Sequence, residues 1–127
     1  MGEDLQDLSA LLARLAKEDY CYLTTTGRLS GRPHEIEIWF GVKGSSLYLL
    51  SGGGDDSDWV KNSRKYPNVT VRIGKYVFKG TARIVDRKDE EMMARIMLAE
   101  KYREWEEGRT LSEWARTALP IAIDLIR

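Results

Sequence analysis

The sequence predicts a mainly β, α+β domain: a six-stranded antiparallel barrel with peripheral helices packed on its outside. Three observations lead there. Short runs rich in aromatic and β-branched residues recur between glycine, proline and asparagine turn signals. Most of these runs are separated by loops too short for anything but antiparallel neighbours. The two long connections carry helical periodicity instead, and six twisted strands that close on themselves leave no exposed edge.

Taken in order, Leu5, Leu8, Leu11, Leu12, Leu15 and Ala16 recur at three- and four-residue spacing and predict an amphipathic helix from about Leu5 to Lys17. Tyr20 to Thr26 reads as the first strand. Gly27 to Pro33 is its turn, because two glycines tolerate positive φ and the proline ends pairing. His34 to Phe40 follows, with Ile36, Ile38 and Phe40 alternating against Glu35, Glu37 and Trp39 as in a strand with one buried face. A Lys43-Gly44-Ser45 turn leads to a third strand, Ser46 to Ser51, so that the first three form a meander.

After three glycines, the acidic stretch Asp55 to Asp58 supplies helix N-cap residues, and a short helix is expected from Asp58 or Trp59 to about Lys65. Val69 to Ile73 and Tyr76 to Val85 flank Gly74-Lys75 as a hairpin whose second strand is long enough to bend round a barrel corner. A third helix is expected from about Lys88 to Trp105, with Met92, Met93, Ile96, Met97 and Tyr102 as its apolar stripe and Gly108 marking its end. A short helix near Ser112 to Leu119 precedes a closing strand, Pro120 to Ile126. At 127 residues, all of this fits one domain, its barrel running from about residue 20 to 126.

Composition narrows the function. Twenty basic residues balance twenty acidic ones, so no global field draws the protein to nucleic acid or anionic lipid, and any anion must be held by a local cluster. The single Cys21, between two tyrosines in an apolar stretch, reads as a buried structural thiol. With no membrane span or signal-peptide pattern, the expected home is the cytoplasm. One His and one Cys make a zinc site of such ligands untenable, and no metal is expected. No nucleophile elbow, phosphate-binding P-loop or dinucleotide fingerprint is present.

What remains is Thr24 to His34. It gathers four hydroxyls (Thr26 and Ser30 among them), the guanidiniums of Arg28 and Arg32, the His34 imidazole and two glycines. Hydroxyls and glycine amides can wrap a phosphate, and arginine forks bind phosphate or carboxylate oxygens in pairs. The stretch therefore reads as an anion cradle, or alternatively as a glycine-rich hairpin with solvated arginines. Ser51-Gly52-Gly53-Gly54 reads either as a place where a flat ring approaches backbone or as a flexible turn.

The order of these pieces is more specific than any one of them. L-T-T-T-G-R-x-S-G-R-P, an apolar strand ending in Trp-Phe, L-Y-L-L-S-G-G-G, D-W-V-K-N and Y-P-N-V-T-V run from Leu23 to Val71. Together they resemble the deazaflavin (F420)-dependent nitroreductase family, a branch of the split β-barrel flavoproteins related to pyridoxamine phosphate oxidases. The resemblance implies a homodimer and hydride transfer from reduced F420 to quinones, nitroaromatics or other enones. It implies that Thr26, Arg28, Ser30, Arg32 and His34 hold the phosphate and acidic tail, and that Ile38 and Trp39 lie against the ring. Ser51, Gly52 and Gly53 would meet the ring edge, Trp59 would close the other side, and Tyr102 would be a candidate proton donor to substrate.

This sequence departs from the family at Leu29, usually Lys, at Gly52, where many members carry a larger or basic residue, and at Glu37, commonly uncharged. FMN, with one phosphate and no acidic tail, is therefore the alternative cofactor. The alternative functions are an FMN-dependent reductase or oxidase of the same fold, or a non-catalytic carrier of a cofactor, haem or apolar ligand.

Overall fold

The computed structural model describes residues 2–126, and the side chains from residue 7 onward. Helix α1 (Gly2–Leu15) buries Leu8, Leu11 and Leu12, three of the six positions read from its spacing, while the side chain of Leu5 lies outside the described residues. The strands are β1 (Cys21–Thr26), β2 (Pro33–Ile38), β3 (Gly41–Lys43), β4 (Ser46–Ser51), β5 (Asn68–Ile73), β6 (Tyr76–Ile84), the two-residue β7 (Trp105–Glu106) and β8 (Thr110–Leu111), and β9 (Leu119–Ile126). Between them lie α2 (Asp58–Lys65), α3 (Lys88–Tyr102) and α4 (Glu113–Thr117).

All six expected strands are present, and the three-residue β3 makes a seventh in one sheet ordered β2-β1-β5-β6-β9-β4-β3. Every pairing in it is antiparallel. The order itself forces curvature. β2 and β3 are the two outermost strands, yet only Trp39 and Phe40 separate them in the chain. Ile38 and Gly41 are thus no more than roughly 11 Å apart, whereas a flat sheet of this size would hold its edges roughly 29 Å apart. The sheet must curl until its edges meet, which gives a split barrel closed by a covalent link.

Two cores result. Leu23, Phe40, Leu47, Leu49, Val71, Ile73, Ile121 and Ile123 fill the barrel together with Leu8 and Leu12 of α1. Tyr48, Leu50 and Ala122 point the other way, where Ala94 and Leu98 of α3 cover them. β4 is therefore buried on both faces, which is why Leu47 to Leu50 is an unbroken apolar run rather than an alternating one.

Helix α3 corrects two expectations. Its buried positions are Ala94, Arg95, Leu98 and Ala99, while Met92 and Ile96 of the expected stripe are exposed and Met93, Met97 and Tyr102 only half-buried. Small residues let the helix lie close on β3: a methyl group on Gly41 would come within 2.8 Å of the Met97 side chain. The helix also stops at Tyr102 rather than Trp105, because Arg103 turns left-handed (φ 58°) and the Arg103 and Glu104 amides both donate to the Ala99 carbonyl. Gly108 (φ 81°) turns the β7–β8 ribbon instead of ending a helix.

Helix α4 is capped by chemistry at both ends. The Ser112 hydroxyl accepts from the Ala115 amide, and buried Arg95 donates to the carbonyls of Ala115 and Ala118 at 2.9 and 2.8 Å. No described helix is long and apolar enough to cross a membrane.

Candidate functional site

The hairpin between β1 and β2 is built around Gly27. Its amide donates to the Arg32 carbonyl, and the Gly31 amide donates back to the Gly27 carbonyl, both at 2.8 Å, so the loop closes on itself. A methyl group on Gly27 would lie 2.6 Å from His34 Nε2 and 2.6 Å from the Ser30 hydroxyl. Only a residue without a side chain lets the imidazole and the hydroxyl converge here.

Against this hairpin packs α2. Asn62, 4% exposed, accepts from the Arg28 amide and from Arg28 Nη1, each at 3.0 Å, and donates to the Thr25 hydroxyl at 3.2 Å. Arg28 Nη2 reaches Asp58 at 3.2 Å, and Lys65 donates to the Arg28 carbonyl. The Asp58 side chain is 84% exposed, so this ion pair is worth less than about 1 kcal/mol and is readily exchanged. Arg28 is therefore fixed in direction by Asn62 while its outer face stays exchangeable.

Hairpin and helix enclose a groove of about 440 Å³ lined by Thr25, Gly27, Arg28, Leu29, Ser30, His34, Glu35, Ile36, Asp58, Trp59 and Asn62. Four of the expected residues, Arg28, Ser30, His34 and Trp59, meet in it. Arg32 stands exposed on the same loop, its amide donating to Ser30 Oγ. Thr26 does not line the groove and its neighbour Thr25 does, because strand alternation turns Thr25 inward, where it is 2% exposed.

Ile38 and Trp39 open on a different cavity, of about 450 Å³, shared with Tyr20, Glu37, Leu50, Glu104 and Trp114. The two cavities divide β2 between them: the groove takes its first half and the aromatic cavity its second. Within the aromatic cavity Trp39 meets Trp114 edge-on at 5.4 Å, and it stacks on Tyr102, which does not line the cavity, at 4.2 Å with 2° between the ring planes.

Ser51, Gly52 and Gly53 line neither cavity. The Ser51 hydroxyl is 2.8 Å from that of Ser57 and donates to the Gly54 carbonyl, holding the turn into α2. Gly52 lies beside Trp114, whose ring would be 3.4 Å from a methyl group there. The Tyr102 hydroxyl is committed to backbone: it accepts from the Phe40 amide at 3.0 Å and donates to the Asp19 carbonyl at 2.8 Å. Burial pushes its pKa up to about 12, which further disfavours giving up the proton. Its place is the link between β2 and β3, where Lys101 also donates to the Phe40 carbonyl and sits 3.7 Å from the Phe40 ring.

Asn62 is a groove residue that sequence reasoning passed over, and Thr25 one that it counted among the cradle's four hydroxyls without singling it out over Thr26. The signal for Asn62 was its spacing: three residues beyond Trp59 and four beyond Asp58, it shares one face of α2 with both. Burial pushes the Cys21 thiol up to about 12, which leaves it inert, as its apolar setting predicts. Among the described residues no cluster of His, Cys, Asp and Glu could hold a metal ion.

The donor set fits an anionic, flat-ringed cofactor. Arginine, imidazole, hydroxyl and lysine groups converge at the hairpin, apolar walls of Ile36 and Trp59 lie beside them, and an aromatic cavity follows along the same strand.

The family model of the F420H(2)-dependent quinone reductases matches residues 6–125. No curated protein matches the chain. Solved structures share its fold. One described as an F420-H2 dependent reductase is 20% identical, with 83% of this chain and 93% of that one covered at a TM-score of 0.64. The heme storage protein HutZ of Vibrio cholerae is 15% identical, with 94% and 91% covered at 0.70. A chain described as a domain-swapped dimer is 19% identical, with 93% and 94% covered at 0.67.

Proposed function

The chain belongs to the F420H(2)-dependent quinone reductase family, and on that premise we propose how its residues divide the work of an oxidoreductase whose cofactor is F420. The hairpin groove takes the anionic part of the coenzyme. Arg28, Ser30, Arg32 and His34 hold it, with Thr25 and Asn62 beneath them, and Asp58 gives way to the incoming phosphate. The ring lies toward Ile38 and Trp39, with Trp59 as an apolar wall of the groove. The observation that carries this reading is the convergence of His34 and Ser30 on Gly27 next to an arginine whose direction Asn62 fixes.

When bound, the reduced coenzyme supplies the hydride, so the protein needs no side-chain base in that step. What the chain contributes is orientation and exclusion of water. Asn62 holds the Arg28 fork before any ligand arrives, which lowers the ordering cost of binding. Trp39 and Trp114, with Tyr102 stacked behind Trp39, give a rigid apolar wall against which a flat acceptor can be held. Tyr102 serves that wall as a positioning residue, and any proton delivered to the acceptor comes from elsewhere. The whole chain acts as one domain, and we place it in the cytoplasm as a homodimer. The dimer is supported by the fold relative described as domain-swapped and by exposed Val77 and Ile126.

The test is titration of the protein with F420, followed by tryptophan quenching, for the wild type and Arg28→Ala/Arg32→Ala. Each charge-assisted contact is worth about 1.5–3 kcal/mol, so the double variant should bind more than about tenfold more weakly while its thermal melt is unchanged. Equal binding would refute the cradle.

A further inference from the structure

The aromatic cavity carries charge of one sign on its lining. Two carboxylates, Glu37 and Glu104, stand among its walls, and no basic residue lines it. Both are held in place by hydroxyls. Tyr22 donates to Glu37 at 2.7 Å, and Ser112 donates to Glu104 at 3.0 Å. Neither takes part in an ion pair among the described residues: Arg72, the nearest cation by sheet register, lies over the Tyr22 ring and reaches Glu35 instead. Anchored carboxylates without an ion-paired cation, set beside the Trp39 and Trp114 indoles, create a negative potential where ring faces already attract positive charge; the Lys101 ammonium, 5.0 Å from the centroid of the Tyr102 ring, is not among the lining residues.

We propose that this cavity selects its electron acceptor by charge, taking flat aromatic cations in preference to neutral rings and rejecting flat aromatic anions. The size suits such a ligand, since about 450 Å³ lies within the usual range for a small-molecule site. The mixed construction suits it as well: the Trp114 indole, at right angles to Trp39, offers an aromatic surface, and the two glutamates supply the counter-charge. A phenothiazinium dye is a concrete member of the class. On accepting a hydride it forms one N–H bond, gains two electrons and becomes neutral, while the reduced coenzyme would lose one C–H bond to the hydride and release one ring N–H proton to solvent. Reduction thus removes the charge that held the acceptor, which favours release of the product.

As an acceptor site the cavity rests on the oxidoreductase reading above; as a binding site it does not. The experiment therefore starts with the protein free of coenzyme. Equilibrium dialysis at low ionic strength against methylene blue, menadione and anthraquinone-2-sulfonate compares a cation, a neutral ring and an anion. The cation should bind at least about tenfold more tightly than the sulfonate, with menadione between them. Glu37→Gln/Glu104→Gln should remove that preference and leave menadione binding as it was. Glu106→Gln/Glu107→Gln, on the exposed ribbon outside the cavity, should keep it. Equal affinities for cation and anion would overturn the proposal, as would a preference that survives the first double variant or is lost in the second. F420 binding to the same samples is measured separately, so failure of the cofactor assignment and failure of charge selection are distinguishable.

Discussion

Tyr102 illustrates how much a single hydroxyl can hold in this protein. It bridges the Phe40 amide and the Asp19 carbonyl, so one oxygen ties the end of α3 to the only covalent link between the two edges of the sheet. Phe40 is fully buried, and its amide has no ladder partner to fall back on once the phenol is gone. Tyr102→Phe should keep the ring stacked on Trp39 but lose about 1–3 kcal/mol of stability, the cost of an unsatisfied buried donor. Urea unfolding measures this, and F420 binding to the folded variant should stay close to wild type. A large loss of hydride transfer with no loss of stability would return the residue to a proton-donor role. The resemblance placed Tyr102 near the chemistry from its residue type; only the coordinates reveal that the hydroxyl is already spoken for. Arg28, Ser30 and His34 were legible because hairpin spacing alone brings them together. Asn62 was not, since nothing local tells a reader that an asparagine 34 residues away will fill the concave side of that hairpin.

Among the elements, the strands were read well and α3 poorly, for a physical reason. Strand alternation is imposed by the backbone, whereas the buried face of a helix depends on how closely its partner lets it approach. Ala94, Leu98 and Ala99 are fully buried, whereas Met93 and Met97 pack only at the edge of that contact and Met92 and Ile96 stand exposed, so a search for large apolar residues finds a stripe turned partly away from the sheet. To that apolar contact a polar network is added. Arg83 on β6 donates to both oxygens of Glu90, at 2.9 and 2.7 Å, and to Asp124 on β9, while Tyr48 on β4 donates to Glu90 at 2.6 Å. These bonds, the Arg83 ones first, pull the Glu90 carboxyl from 4.5 down to about 2. A carboxyl depressed on folding contributes stability that is fully present above its unfolded value and is lost as pH falls through its folded one. Wild-type stability should therefore decline between about pH 4.5 and pH 2 partly on account of Glu90. Glu90→Gln should cost about 1 kcal/mol at neutral pH, after allowance for the solvent-facing side of Arg83. Its acid limb should be shallower, with Asp124, also depressed by Arg83, accounting for what remains. An acid limb identical to wild type would mean that the network contributes nothing to docking the helix.

At the scale of the whole molecule, closure of the sheet decides where the site lies. Six strands and their tight turns could be read from the sequence, and so could a barrel, but the place where the barrel splits could not. It depends on β3, three residues long and lacking any strand-like pattern. The split puts β2 at an edge, and an edge strand is what both the hairpin groove and the aromatic cavity are built upon. On the far side β9 approaches closely over Gly80, in the middle of β6, the longest strand. A methyl group there would lie 2.8 Å from Ile123 Cγ2 and 2.9 Å from the Asp124 carbonyl oxygen, one a stiff β-branched side chain and the other backbone, so neither can move aside. Gly80→Ala should therefore push β9 away from β6 and lose about 1–3 kcal/mol, although alanine in most strands is harmless to stability. The expected signature is a lower urea midpoint with an unchanged slope, and F420 binding preserved at low denaturant because β1, β2 and α2 are not part of that seam. If instead the variant is as stable as wild type but binds F420 poorly, curvature of the barrel is transmitted across the sheet to the hairpin, and the groove is shaped by the molecule as a whole rather than by the elements that line it.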